Sequence, residues 1–215
     1  WATATVRFAG SSNRAQGFTV NDNWLGGLAN ATGIAQTPDG RWLITQQGGA
    51  VRLVKNGALL AQPFVQLDNL DTNGERGLLG IAIDPNFAGN GYVYLYHTTT
   101  SGGTHNRISR VTASGDAAAA GSEVVLVELP ALSSALIHNG GGMQFGADSK
   151  LYVGVGDNAT PAAAQDGSSV LGKLLRFNAD GSMPNDNPFY ATQSGLARAV
   201  WARGLRNPFS FAVQP

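Results

Sequence analysis

Cysteine is absent from this sequence of 215 residues, which excludes a disulfide framework, a thiolate zinc site and thiol catalysis. Charge is scarce, since Asp, Glu, Lys and Arg make up 13% of the residues against about 25% in an average globular domain. The 14 basic and 14 acidic residues balance, so nucleic acid and anionic membranes are not favoured as partners. Long apolar runs are also missing, and no membrane span of ~20 residues is expected.

Glycine, by contrast, is abundant. The 29 glycines are roughly twice the average share of ~7%. Hydrophobic residues reach 43%, which is enough for a substantial core. This composition favours many tight turns between short strands, and no stretch shows a convincing helical periodicity apart from the Ala-rich residues 115–121. We therefore expect an all-β fold.

A repeated unit organises the chain. Each copy contains a strand, a turn rich in Asp and Gly, a second strand, a variable insert and a further strand. The copies begin near Ala35, Ile81, Met143 and Phe209. Their length is close to the ~40–50 residues of a four-stranded propeller blade once the inserts are allowed for. A β-sandwich with irregular loops is the alternative, but the repetition favours a β-propeller of about three blades plus a fragment.

We interpret residues 1–215 as one partial propeller domain. Three blades and a fragment cannot close a ring, because the last copy would keep an unpaired edge. The pattern also stops at Pro215, where the next Asp-Gly turn is due. We therefore expect the native protein to continue beyond Pro215.

Four short motifs follow one another through most of the chain. Each alone is a weak signal, but their common order and spacing make a strong one. They lie at residues 74–87 (GERGLLGIAIDPNF), 138–157 (HNGG, then FG, LYV and GD), 172–189 (GKLLR, then DGSMP and DNPF) and 204–209 (GLRNPF). Together they resemble the soluble quinoprotein glucose and aldose sugar dehydrogenases. The resemblance implies a six-bladed propeller that holds pyrroloquinoline quinone (PQQ) over its channel with Ca²⁺ beside it, this chain supplying about the first half.

Oxidation of the anomeric carbon of a sugar to a lactone needs a base, and histidine suits this task because its ordinary pKa is near neutral. The resemblance implies that His138 is the catalytic base and that Asp157 is its partner, which fixes the imidazole tautomer. From the residues alone, His138 could be a loop histidine bonded to backbone, and Asp157 could cap a turn. His97 and His105 are expected at the surface.

The resemblance also implies that Arg206 and Asn207 contact the cofactor, where a guanidinium and an amide can stabilise the quinone oxygens. The alternative is structural, with Arg206 bridging two blades and Asn207 capping a turn. Glu75 is expected to bind substrate hydroxyls, or else to form an ion pair with Arg76 or another neighbour. The metal ligands stay unknown, because the resemblance places them, and the basic residues that hold the cofactor carboxylates, after Pro215.

The function expected from the resemblance is a PQQ-dependent sugar dehydrogenase that oxidises aldoses to lactones and passes electrons to an external acceptor, in the periplasm or outside the cell. A non-catalytic propeller that serves as a binding module is one alternative. A calcium-dependent lactonase is another, although the His-Asn-Gly-Gly motif is not typical of such hydrolases. The presence of His138, Asp157 and Arg206 together favours the enzyme, because a pure scaffold has no physical need for all three.

Overall fold

The computed structural model describes residues 25–214. Within this range the chain forms three antiparallel sheets joined by turns, which confirms the all-β prediction. The only α-helix of the described range is a single turn, α1 (Phe87–Asn90), and short 3-10 turns cover Pro161–Ala164 and Gly195–Ala199. No helix among these residues is long and apolar enough to cross a membrane.

Each sheet is a meander whose long strands follow chain order from one edge to the other. The first contains β1 (Ala31–Gln36), β2 (Trp42–Gln46), β3 (Ala50–Lys55), β4 (Ala58–Leu59) and β5 (Val65–Gln66), with β4 and β5 both paired to β3. The second contains β6 (Leu78–Ile83), β7 (Tyr92–Thr99), β8 (His105–Ser114), β9 (Ala117–Ala118) and β10 (Val124–Ala131), with β9 and β10 both paired to β8. The third contains β11 (Gly140–Phe145), β12 (Leu151–Val155), β13 (Lys173–Phe177) and β14 (Val200–Arg203).

The predicted repeat starts at Ala35, Ile81 and Met143 lie in β1, β6 and β11, the first long strand of each sheet. The fourth predicted start, Phe209, lies in residues 204–214, which contain no strand. A strand needs a continuous ladder of hydrogen bonds with a partner strand. The bonds between this segment and β11 are isolated, such as the one that the Gly142 N–H donates to the carbonyl of residue 208 at 3.2 Å.

The sheets stack face to face through alternating side chains of the central strands. On β7, Val93 and Leu95 pack into a core shared with the first sheet, while Tyr94 and Tyr96 pack into a core shared with the third. This is the period of two that a strand imposes. The second sheet is therefore covered on both faces, and its first strand β6 lies between β1 and β11.

Close approach of β6 to β11 depends on a glycine. A Cβ at Gly80 would lie 2.0 Å from the backbone oxygen of Gly141. We expect Gly80→Ala to lower the free energy of unfolding by about 1–3 kcal/mol, because the two strands must move apart. Gly48→Ala is the matched control, since a Cβ there would meet nothing within 4 Å. Urea denaturation checks both, and equal stability of the two variants would contradict this packing.

Candidate active site

The predicted site residues gather at one end of the sheets. Gly140 of β11 pairs with Val155 of β12, so the start of β11 and the end of β12 lie at the same edge. His138 comes two residues before β11, and Asp157 comes two residues after β12. β14 runs parallel to β12 across β13, ends at this edge too and leads to Arg206. The antiparallel order thus places three separate motifs together.

His138 and Asp157 form a buried hydrogen-bonded pair. Nδ1 of the imidazole is 2.7 Å from Oδ1 of Asp157, and the two residues are 7% and 2% exposed. The backbone N–H of Ala159 donates to the same oxygen at 2.9 Å. Because a carboxylate only accepts hydrogen bonds, Nδ1 carries the hydrogen and Nε2 keeps its lone pair. Nε2 has no hydrogen-bond partner among the described residues, so it is available to take up a proton.

The backbone of His138 is held as firmly as its side chain. Its φ of 58° lies in the left-handed region, where histidine is less costly than most residues. Its N–H donates to Oε2 of Glu75 at 2.7 Å, and its carbonyl accepts from the N–H of Asn158 at 3.1 Å. A Cβ at Gly156 would lie 1.9 Å from that carbonyl oxygen, so only glycine permits this approach of the two loops.

Glu75 links His138 to the last motif. Besides the His138 N–H, its Oε2 accepts the side-chain N–H of Asn207 at 3.4 Å. Oδ1 of Asn207 in turn accepts the first backbone N–H of β11 at 2.9 Å. The alternative ion pair between Glu75 and Arg76 does not form, because Arg76 binds Asp71 instead, at 2.6 Å. One carboxylate therefore joins Glu75, His138 and Asn207.

Arg206 reaches the site through its backbone. Its carbonyl accepts the N–H of Asp157 at 2.8 Å. Its side chain is exposed and makes no hydrogen bond or ion pair within residues 25–214, so the arginine bridge between blades is not seen there. A guanidinium in this state can pair with an anionic ligand without breaking a protein contact.

Asn139 is a site residue that the sequence did not single out. It is 2% exposed, and its Oδ1 is buried with no hydrogen-bond partner in the described part of the chain. Together with Glu75, Gly140 and Asn207 it lines an open cleft of about 440 Å³. A buried amide oxygen without a partner is costly, and a water or ligand usually satisfies it. Asn139 belongs to the His-Asn-Gly-Gly motif, but residue type alone does not show which of its atoms is left unpaired.

Residues 28–215 match the family described as Glucose / Sorbosone dehydrogenase. The chain belongs to this family. It is 30% identical over 194 residues to the aldose sugar dehydrogenase YliI of Escherichia coli, covering 85% of this chain and 50% of that protein. It is also 29% identical over 218 residues to human Hedgehog-interacting protein, covering 88% of this chain and 31% of that protein.

The solved structure of the PQQ-bound aldose sugar dehydrogenase from Streptomyces coelicolor matches with a TM-score of 0.70 and 31% identity. The match covers 84% of this chain and 52% of that one. Neighbours of this kind are β-propellers, which confirms the predicted propeller fold for this member of the glucose/sorbosone dehydrogenase family. The chain spans about half the length of the dehydrogenases it matches here.

The acidic and histidine side chains between residues 25 and 214 do not form a cluster that could hold a calcium ion by themselves. That range contains no group of three or more His, Asp or Glu residues placed to hold a metal ion. Calcium prefers six to eight oxygen ligands, including carboxylates.

The prediction that His97 lies at the surface is wrong. His97 is 2% exposed, because β7 is covered on both faces and its residues 93–99 are all buried. Its Nε2 is 3.3 Å from the hydroxyl of Ser109, and its Nδ1 has no partner among the described residues. Burial lowers the pKa of His97 to about 4. His105, by contrast, is partly exposed and bonds to Glu128 at 2.6 Å.

The low pKa of His97 predicts a loss of stability in mild acid. The unfolded chain takes up a proton as the pH falls through about 6.5, whereas folded His97 stays neutral until about pH 4. The stabilisation is therefore complete above pH 6.5 and is lost as the pH falls to 4. The difference between the pKa of 6.5 in the unfolded chain and the pKa of about 4 in the folded protein corresponds to roughly 3 kcal/mol of unfolding free energy.

His97→Gln removes this titration. The difference in unfolding free energy between pH 7 and pH 4.5, measured in urea, should be smaller in the variant than in the wild type by about 2–3 kcal/mol. Equal pH dependence in the two proteins would show that His97 does not stay neutral in the folded state.

Proposed function

We propose that this chain carries the base and part of the cofactor site of a PQQ-dependent aldose dehydrogenase, which converts the anomeric carbon of the sugar to a lactone. The observation that carries the proposal is the buried 2.7 Å pair of His138 and Asp157 beside the cleft of Glu75, Asn139 and Asn207. Membership of the glucose/sorbosone dehydrogenase family and the PQQ bound to the Streptomyces relative support the same reaction.

The described residues offer some of the groups that a PQQ site would need. PQQ is a planar tricarboxylic acid, so its site requires cationic and hydrogen-bonding partners. Within residues 25–214 the exposed guanidinium of Arg206 has no hydrogen-bond or ion-pair partner, and Asn139 lines the cleft. The amide of Asn207 bonds to Oε2 of Glu75, the same oxygen that accepts the His138 N–H. PQQ, when bound, would supply the acceptor for the hydride that leaves C1 of the sugar.

The role of the protein in this reaction is to move a proton. Nε2 of His138 takes the proton of the anomeric hydroxyl as the hydride leaves C1, and the carbon becomes the carbonyl of the lactone. Asp157 stabilises the imidazolium that forms and keeps Nδ1 protonated throughout. Oε1 of Glu75 has no partner among the described residues and can accept a hydrogen bond from a sugar hydroxyl.

Reconstitution of the full-length protein tests the proposal. PQQ and Ca²⁺ are added to the protein, and dye reduction is followed with glucose and other aldoses, the dye serving as external electron acceptor. We expect turnover that requires both PQQ and sugar. No turnover with any aldose would contradict the proposal, and lactone hydrolysis without the quinone would identify a lactonase instead.

A non-catalytic binding module is the second candidate function. The 29% identity to human Hedgehog-interacting protein favours it, because that relative is named for an interaction. The imidazole held on a buried carboxylate favours the enzyme, since a binding surface does not require a base with a free Nε2. PQQ titration separates the two, because the binding module predicts no saturable quenching of the four tryptophans by PQQ.

A further inference from the structure

Two buried polar side chains outside the catalytic pair converge on the segment that precedes His138. The guanidinium of Arg76 donates to the carbonyls of Ser133 and Ala135 at 2.7 and 3.0 Å. The amide of Asn158 donates to the carbonyls of Ala135 and Ile137 at 3.0 and 3.3 Å. Residues 133–137 are thus held from both sides, with one carbonyl shared by both donors.

The two donors come from the two loops that contact His138. Arg76 follows Glu75, whose carboxylate accepts the His138 N–H, and Asn158 follows Asp157, whose carboxylate accepts from the imidazole. In each loop, therefore, one residue contacts His138, and the next residue bonds to the segment 133–137 that precedes it. The Glu75 N–H also donates to the carbonyl of residue 136 at 2.9 Å.

Arg76 is itself fixed. It is 5% exposed and bonds to Asp71 at 2.6 Å. The amide of Gln47 donates to the carbonyls of Gly74 and Arg76, both at 2.8 Å, which holds the loop of Glu75 to the first sheet. Nε of Arg76 is buried without a hydrogen-bond partner among the described residues, which costs free energy of folding. An apolar side chain that only filled this space would not have that cost.

We propose that Arg76 and Asn158 are positioning residues for His138, which keep its imidazole on Asp157 by fixing residues 133–137. Neither touches the substrate. The inference rests on the proposed function for its catalytic consequence, but the position and tautomer of the imidazole can be measured without cofactor. A shift of about 1 Å at a reacting group is enough to slow a reaction roughly 100-fold.

The test uses Arg76→Lys, which keeps the charge opposite Asp71 but replaces the planar fork by a single ammonium group. Asn158→Gly is the second variant, because glycine tolerates the φ of 47° at this position while removing the amide. Arg41→Lys is the matched control, since Arg41 also binds two carboxylates and a carbonyl but lies in the turn between β1 and β2, at the other end of the sheets.

Ring ¹⁵N–¹H NMR of the cofactor-free protein reads the tautomer directly, and with only three histidines the signals are assignable by substitution. We expect His138 to be a single Nδ1–H tautomer in the wild type and in Arg41→Lys, and a mixture in Arg76→Lys and Asn158→Gly. In the reconstituted protein, kcat should fall about 10- to 100-fold in the two site variants with KM changed less than about threefold.

A merely structural role would lower the melting temperature and leave the His138 signals and kcat unchanged, which would overturn the inference. If Arg76→Lys does not fold, Asn158→Gly decides the question. Altered His138 signals in the two site variants, together with no sugar oxidation by the wild type, would support the positioning role and refute the dehydrogenase. Failure of the positioning inference can therefore be distinguished from failure of the proposed function.

Discussion

Replacing His138 with asparagine is expected to lower kcat for aldose oxidation by about 10²–10⁴-fold, the usual contribution of a general base. Asparagine is chosen because it tolerates the left-handed φ of 58° at this position, so the loop is preserved. The variant keeps Glu75 bonded to the backbone N–H but has no nitrogen to take the anomeric proton. Steady-state dye reduction in the reconstituted protein measures the effect.

His105→Asn is the control for this substitution. His105 lies on β8 and pairs with Glu128, away from the cleft. The His105→Asn variant should have a kcat within about twofold of the wild-type value, since substitutions far from a site usually have small effects. Turnover by His138→Asn at the rate of this control would remove His138 as the base.

Replacing Asp157 is expected to have the second largest effect, and two variants separate its charge from its hydrogen bond. Asp157→Asn keeps an oxygen that can accept from both His138 and Ala159 but removes the negative charge, so kcat should fall about tenfold, the difference between a charged and a neutral hydrogen bond. Asp157→Ala removes the acceptor as well and releases the tautomer. Its kcat should approach that of His138→Asn, because Asp157 acts only through the imidazole.

The double variant His138→Asn, Asp157→Ala checks this dependence. Residues that act as one unit are strongly non-additive. The double variant should therefore be no slower than His138→Asn alone, as measured by the same dye assay. A further loss of 10-fold or more would mean that Asp157 contributes to the reaction independently of His138.

Much of the fold could be predicted from sequence because turn residues and alternation are local. The glycine-containing turns and the apolar alternation of residues 92–96 predict hairpins without knowledge of what covers them. The outer strands β10 and β14 were not predicted. They follow the last strand of the predicted repeat unit, in segments where Val124, Val125 and Trp201 remain exposed and no clear period-two pattern marks them.

The sequence motifs indicate which residues to propose for the site, but they do not indicate the hydrogen bonds between those residues. Motif order places His138 and Asp157, and their antiparallel strands explain why they meet. The roles of Arg76 and Asn158 depend on which carbonyls their side chains reach across 20 to 60 residues of chain. The interest of Asn139 lies in an amide oxygen that has no partner among the described residues, which residue type does not reveal. His97 was misjudged for the same reason, because its burial is set by packing of the neighbouring sheets on β7 and not by its own neighbours in sequence.

A stoichiometric measurement tests the proposed sugar oxidation. The full-length protein, reconstituted with PQQ and Ca²⁺, is incubated with an aldose and a limiting dye, and NMR quantifies the lactone formed against the electrons that reach the dye. We expect one lactone for every two electrons, and a rate lower by at least about 100-fold in His138→Asn. Absence of lactone in the wild type, or equal rates of lactone formation in both proteins, would contradict the proposal.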